Sequence, residues 1–76
     1  MIPSRSMIQA LYQAGLSFEV NGAFELAERN YREPLTLLEP EDRENFKALH
    51  YRLGRVAEAL GNNEAAEEYY NEVAAS

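Results

Sequence analysis

Residues 51–63 read YRLGRVAEALGNN. Leu53, Val56, Ala57 and Leu60 fall on one stripe at helical spacing, and Gly61 is placed as a helix C-cap. The exception is Gly54, inside the strongest part of the helix, where glycine costs roughly 1 kcal/mol relative to alanine. Such a residue is retained where a neighbouring element comes so close that a Cβ has no room. The stretch therefore predicts a helix crossed tightly at Gly54 by another.

The same logic extends along the chain. Upstream, Phe46 and Leu49 continue the apolar stripe, and Glu39-Pro40 puts a proline at a suitable first helical position. Downstream, Asn62 or Asn63 caps a last helix, EAAEEYYNEVAA, with Ala65, Ala66, Tyr69, Tyr70 and Val73 inward and Glu64, Glu68 and Glu72 on the opposite side. A first helix is expected from Ser6, where Ser6-Met7-Ile8-Gln9 has a capping-box pattern. It carries Met7, Ile8, Leu11, Gly15 and Phe18 and stops at Asn21-Gly22. A second runs from about Ala23 with Phe24, Ala27, Tyr31, Leu35 and Leu38 on one side, Glu25/Arg29 and Glu28/Arg32 spaced for ion pairs on the other, and Pro34 to kink or end it. No segment reads as a strand.

The second pair of helices repeats the first. Tyr12 recurs as Tyr51, Gly15 as Gly54, Gly22 as Gly61, Ala27 as Ala66 and Tyr31 as Tyr70, each 39 positions on. In the second copy His50-x2-Leu53-Gly54-x2-Ala57 is followed by Ala66-x3-Tyr70. The first reads Leu11-x2-Ala14-Gly15-x2-Phe18, then Ala27-x3-Tyr31, with Pro40 near a closing proline. These patterns resemble the tetratricopeptide (TPR) family, W-x2-L-G-x2-Y, then A-x3-F, then P. Departures are the missing tryptophan in both copies, Ala14 for leucine, Ala57 for tyrosine, Pro34 at a usual alanine, and a spacing longer than the family's about 34 residues. The additional residues are expected in EPEDRENFK (39–47), in the loop or at the start of the third helix.

The resemblance implies an all-α fold: two helix-turn-helix repeats, about 7–40 and 41–75, stacked as a short right-handed solenoid in one domain over residues 1–76. Repeat packing is expected at Gly15, Ala27, Tyr31, Gly54, Ala66 and Tyr70, with each glycine admitting the small Ala27 or Ala66 of the following helix. The bland alternative is an unrelated four-helix bundle with glycines at two turns and two crossings.

Composition bounds the function. A 76-residue chain with 46% hydrophobic and 26% charged residues is a small folded domain with a modest core. A net charge of −6 opposes binding to nucleic acid or an anionic membrane, and no run of about eighteen apolar residues offers a membrane span. Without cysteine there is no disulfide or thiolate chemistry. The opening MIPSRSMIQALYQ lacks the pattern of a signal peptide, so a cytoplasmic location is the default, with the periplasm open if a parent chain carries a signal.

Candidates for chemistry are few. His50 is the single histidine, and with no cysteine or second histidine a metal site lacks ligands. Glu64, Glu68 and Glu72, and the cluster Glu39, Glu41, Asp42 and Glu44 around Arg43, match no calcium loop and read as solvated surface, or as contacts for a basic partner. The glycines are isolated and never followed by Lys-Ser or Lys-Thr, so no phosphate loop is present. Neither catalysis, a metal nor a cofactor is expected.

The resemblance instead implies a protein or peptide partner on the concave face lined by the first helix of each repeat. The residues there are Gln9, Tyr12, Leu16 and Glu19, then Ala48, Tyr51, Arg52, Arg55 and Glu58, with Gln9, Tyr12, Leu16, Tyr51, Arg52 and Arg55 as the candidate binding set. Arg52 and Arg55 either pair a partner carboxylate or bond to neighbouring acids such as Glu58. The lysine and asparagine with which one TPR subclass grips chaperone tails are replaced by Tyr12, Leu16 and Arg52, so that ligand is not expected. Two further readings stand beside this scaffold: self-assembly, in which another copy covers the open side of the last helix, and a small ligand-binding or enzymatic bundle centred on His50.

Overall fold

The computed structural model describes residues 3–76, with side chains from Arg5 onward, and is all-helical over them. Helix α1 spans Pro3–Val20, α2 Phe24–Arg32, α3 Arg43–Ala59 and α4 Asn63–Ala75, with a 3-10 turn at Glu33–Leu37 after α2. Each helix packs on the next in chain order, and the 3-10 turn returns against α1 and α2. The result is a thin slab of 39 × 29 × 14 Å.

Helix boundaries follow local chemistry. Both hairpin turns end the preceding helix identically: Gly22 and Gly61 each adopt φ +80°. The Gly22 amide donates to the Glu19 carbonyl and Ala23 to Phe18, at 3.0 and 2.9 Å, and Gly61 donates to Glu58 and Asn62 to Ala57, at 2.9 and 2.8 Å. This is the Schellman closure that glycine permits in the left-handed region. Asn62 then caps α4 by accepting from the Ala65 amide at 3.2 Å.

Two helix starts differ from the sequence-based expectation, while the end of α2 follows it. Helix α1 begins at Pro3, so Ser6 lies inside the helix and caps nothing; a proline in the first turn sacrifices no intrahelical bond. Helix α3 begins at Arg43, with Pro40 outside it, because Asp42 supplies the cap, accepting from the Asn45 amide at 3.2 Å and from Asn45 Nδ2 at 2.9 Å. Helix α2 stops at Arg32 and tightens into the 3-10 turn around Pro34, whose nitrogen cannot donate to an α ladder. The connection between α2 and α3 thus occupies residues 33–42.

The core consists of Ala27, Tyr31, Leu49, Leu53 and Val56, all fully buried, with Tyr12, Leu16, Phe18, Phe24, Leu35, Leu38 and Tyr69 packed around them. Each fully buried aliphatic side chain of this size contributes about 1.5–3 kcal/mol. Leu60, expected on the inner stripe of α3, is 40% exposed, having passed the last turn of the helix.

Gly15 and Gly54 are both buried. What fills the space above them corrects the expected partner. A Cβ on Gly15 would lie 2.5 Å from Cε1 of Tyr31, and one on Gly54 would lie 2.5 Å from Cε1 of Tyr70. The nearest approach is therefore of a tyrosine ring to the glycine backbone, with Ala27 and Ala66 buried four positions earlier on the same helices.

Candidate functional site

The two tyrosines held on the glycines anchor the same arrangement twice. Tyr31 donates its hydroxyl proton to Glu19 Oε1 at 2.7 Å, and Tyr70 donates to Glu58 Oε1 at 2.8 Å. Glu19 and Glu58 are themselves 39 positions apart. Each lies one helical turn after its glycine, so backbone, ring and carboxylate form one unit within each hairpin. Burial, followed by the adjacent carboxylate, raises the pKa of both phenols: that of Tyr31 far above the ordinary range, and that of Tyr70 to about 12.

A second aromatic flanks each unit. The Tyr12 ring meets Tyr31 edge-on at 5.8 Å and 70°, and Tyr51 lies 6.1 Å from Tyr70 at 49°. These separations are those of favourable aromatic pairs. Tyr12 is half-buried, whereas Tyr51 is 45% exposed.

The two hairpins meet through Glu19. Arg52 Nη1 lies 3.9 Å from Glu19 Oε1 and Arg55 Nε lies 3.7 Å from Oε2, so one carboxylate of α1 faces two guanidinium groups of α3. Both arginines also stand 6.0 Å from the centroid of the Tyr51 ring. A hydrogen bond with the Tyr12 phenol raises the pKa of Arg52, and one with the Tyr51 phenol raises that of Arg55. The acid expected as their neighbour was Glu58; the structure pairs them with Glu19 and gives Glu58 to Tyr70.

Of the candidate binding residues, Tyr12, Tyr51, Arg52 and Arg55 thus form one contiguous cluster across α1 and α3 with Glu19 at its centre. Gln9 is exposed on α1, outside these contacts. Leu16 is half-buried and packs against the core, so it supports the face rather than offering a polar contact. Ala48 is half-buried on α3. The sequence-based reading missed the role of Glu19 and Glu58 as tyrosine acceptors. Their shared 39-residue offset, alongside the glycine and tyrosine matches, was the signal that could have found it.

His50 sits elsewhere. It is 8% exposed and its Nδ1–H donates to the Phe46 carbonyl at 2.8 Å, with the Phe46 ring 4.1 Å and the Tyr69 ring 6.0 Å away. Among the described residues no cluster of three or more histidine, cysteine or acidic side chains has metal-binding geometry. Within the same residues no helix is long and apolar enough to cross a membrane.

No family model, no curated protein and no solved structure matches this chain.

Proposed function

We propose that this chain is a TPR-like protein-interaction module, two hairpins stacked as a short solenoid, that binds a peptide or protein segment on the face formed by α1 and α3. The reading is non-enzymatic. The observation that carries it is the cluster of Tyr51, Arg52 and Arg55 beside Tyr12. The Tyr51 ring is 45% exposed and the Arg55 side chain 52% exposed, on a chain of net charge −6. Tyrosine gives large contact area at small entropic cost, arginine adds forked hydrogen bonding, and both are enriched among the residues that dominate interface energetics. The duplicated glycine–tyrosine–glutamate unit supports the repeat assignment, because it reproduces the same two contacts in both hairpins.

The test is positional crosslinking in the cells that make the protein. A photo-crosslinking side chain in place of Tyr51 is expected to capture a partner, one in place of Glu68 on α4 to capture none, and Arg55→Glu to abolish the capture at position 51. Equal capture from both positions would reject the α1/α3 face as the binding surface.

A second reading, self-assembly, is favoured by one observation: α4 packs chiefly on α3 and leaves Tyr69 and Val73 only half-buried. Sedimentation equilibrium decides it. A concentration-dependent rise in molar mass that is lost in Val73→Lys supports a stacked copy, and a constant monomer mass removes it.

A further inference from the structure

Past the 3-10 turn that contains Pro34, a cavity of about 580 Å³ lies between residues 35–40, the first turns of α3 and the end of α4. This is within the range of about 300–1,000 Å³ typical of ligand pockets. Its apolar wall includes Leu35, Leu38, Pro40 and Phe46, and its charged lining is three carboxylates, Glu39, Asp42 and Glu72, against the single guanidinium of Arg43. Asp42 is already engaged as the cap of α3, so Glu39 and Glu72 are the carboxylates left to meet a ligand.

His50 lines this cavity while more than nine-tenths buried. Its Nδ1–H is committed to the Phe46 carbonyl, so in the neutral ring the lone pair lies on Nε2. Nε2 has no hydrogen-bond partner among the described residues, yet it is not among their sealed, unsatisfied polar atoms. With Nδ1 engaged and the residue lining the cavity, Nε2 is the ring nitrogen left to accept from a ligand there. A buried acceptor gains most from a donor that enters with an apolar group and excludes water.

We infer that this cavity binds a peptide segment in which an aromatic or aliphatic side chain adjoins an arginine or lysine. The apolar side chain occupies the wall beside Phe46 and Leu38, a peptide N–H donates to His50 Nε2, and the cationic head lies at the mouth between Glu39 and Glu72. Charge sets the choice of occupant: the lining has a carboxylate excess and the whole chain is acidic, so an acidic segment is repelled. The inference goes beyond the α1/α3 face and does not rest on it. None of Tyr12, Tyr51, Arg52 or Arg55 lines the cavity.

The experiment is a titration of the intact protein followed by nuclear magnetic resonance of the His50 ring and of the Leu38 methyl groups, with three probes: acetyl-Phe-Arg-amide, acetyl-Phe-Glu-amide and phenethylamine. The Phe-Arg probe is expected to shift both sets of signals saturably, leaving the Tyr51 ring signals in place, and the Phe-Glu probe to leave all of them unmoved. Glu39→Gln and Glu72→Gln, both at exposed residues that the fold does not need, are each expected to weaken the Phe-Arg probe about two- to fivefold. Three results would overturn the inference: no saturable shift with Phe-Arg at millimolar concentration, equal shifts with Phe-Glu, or phenethylamine binding as tightly as the peptide, which would make this a site for free amines. Since Tyr51 and Arg55 lie outside the cavity, Arg55→Glu leaves the titration unchanged. A failed face and a failed cavity are thereby told apart.

Discussion

Replacing Gly15 and Gly54 by alanine separates helix propensity from close approach, because each position faces a tyrosine ring, Tyr31 or Tyr70, and the two rings are under different constraint. Either substitution gains about 1 kcal/mol of intrinsic helix stability. Either also puts a Cβ 2.5 Å from a tyrosine Cε1, where about 3.5–4.0 Å is comfortable, so the ring must move by about 1 Å. Tyr31 cannot comply cheaply: it is fully buried, its edge is held by Tyr12, and its hydroxyl is bonded to Glu19 at 2.7 Å. Over-packing there costs about 1–3 kcal/mol, and loosening a hydrogen bond to a carboxylate adds about 1.5–3 kcal/mol at most. The net expectation for Gly15→Ala is a loss of about 2 kcal/mol. Tyr70 is only half-buried and its bond to Glu58 is exposed, so the ring can swing outward and the propensity gain nearly cancels the strain. Gly54→Ala is expected within about 1 kcal/mol of the parent. Thermal unfolding followed by circular dichroism reads the difference as a larger fall in Tm for Gly15→Ala, at about 4–8 °C per kcal/mol for a domain of this size. The decisive control is Tyr31→Leu, which removes the ring. In that background Gly15→Ala should become neutral or stabilising. An undiminished penalty, or equal losses at the two glycines in the parent, would refute the account of why these helices contain glycine.

Three further outcomes follow from the same contacts. Tyr70 is expected to ionise near pH 12 and Tyr31 beyond it, read as late steps in ultraviolet absorbance, and Glu58→Gln should move the Tyr70 step down. Because both folded-state pKa values lie above that of the unfolded phenol, the stability these groups contribute is complete below about pH 10 and is lost as the pH rises through 12 and above. Glu19→Ala should cost about 1–3 kcal/mol in chemical denaturation, since it strips the acceptor from a buried hydroxyl, whereas Glu58→Ala, at an exposed bond, should cost under about 1 kcal/mol. Gly22→Ala and Gly61→Ala should each lose about 1–2 kcal/mol by the same assay, because φ +80° is unfavourable for a residue with a Cβ although nothing stands within 4 Å of one.

Much of the fold was legible because the features that set it are local. Apolar spacing marked four helices, Gly22 and Gly61 marked the turns, and Asn62 marked a start; each depends on residues within a few positions. The misread starts of α1 and α3 are also local, and at α3 two plausible starts competed. Ser6 lies inside a helix already formed at Pro3, and at α3 Asp42, with Asn45 three residues on, outdid Pro40. The site was less legible. That Arg52 and Arg55 converge on Glu19 depends on how one hairpin lies against the other, and no periodicity encodes which of several nearby acids an arginine will reach. The cavity beside His50 was hidden for a similar reason: Pro34 announces an interruption of α2 but not the direction in which the connection departs.

Glu19 joins stability to the proposed binding face, and the distances say how strongly. Its bond to Tyr31 is short, and the carboxylate side chain is 15% exposed, so this contact is part of the folded core. Its contacts to Arg52 and Arg55, at 3.9 and 3.7 Å, are longer than charge-assisted hydrogen bonds of about 2.7–2.9 Å. Ion pairs this open are worth about 0–1 kcal/mol. A carboxylate brought by a partner could therefore take the outer donors of both arginines without dislodging Glu19 from Tyr31, and little folding energy would be lost on binding. The carboxylate of Glu19 meanwhile keeps the two guanidinium groups gathered beside Tyr51 in the free protein, which reduces the ordering cost of association. Because those pairs are weak, the ordering they supply counts for less than the like charge they set beside an incoming carboxylate: Glu19→Gln with Tyr31 still bonded should leave the domain folded and bind an acidic segment at least as tightly, and weaker binding in a peptide titration would refute this.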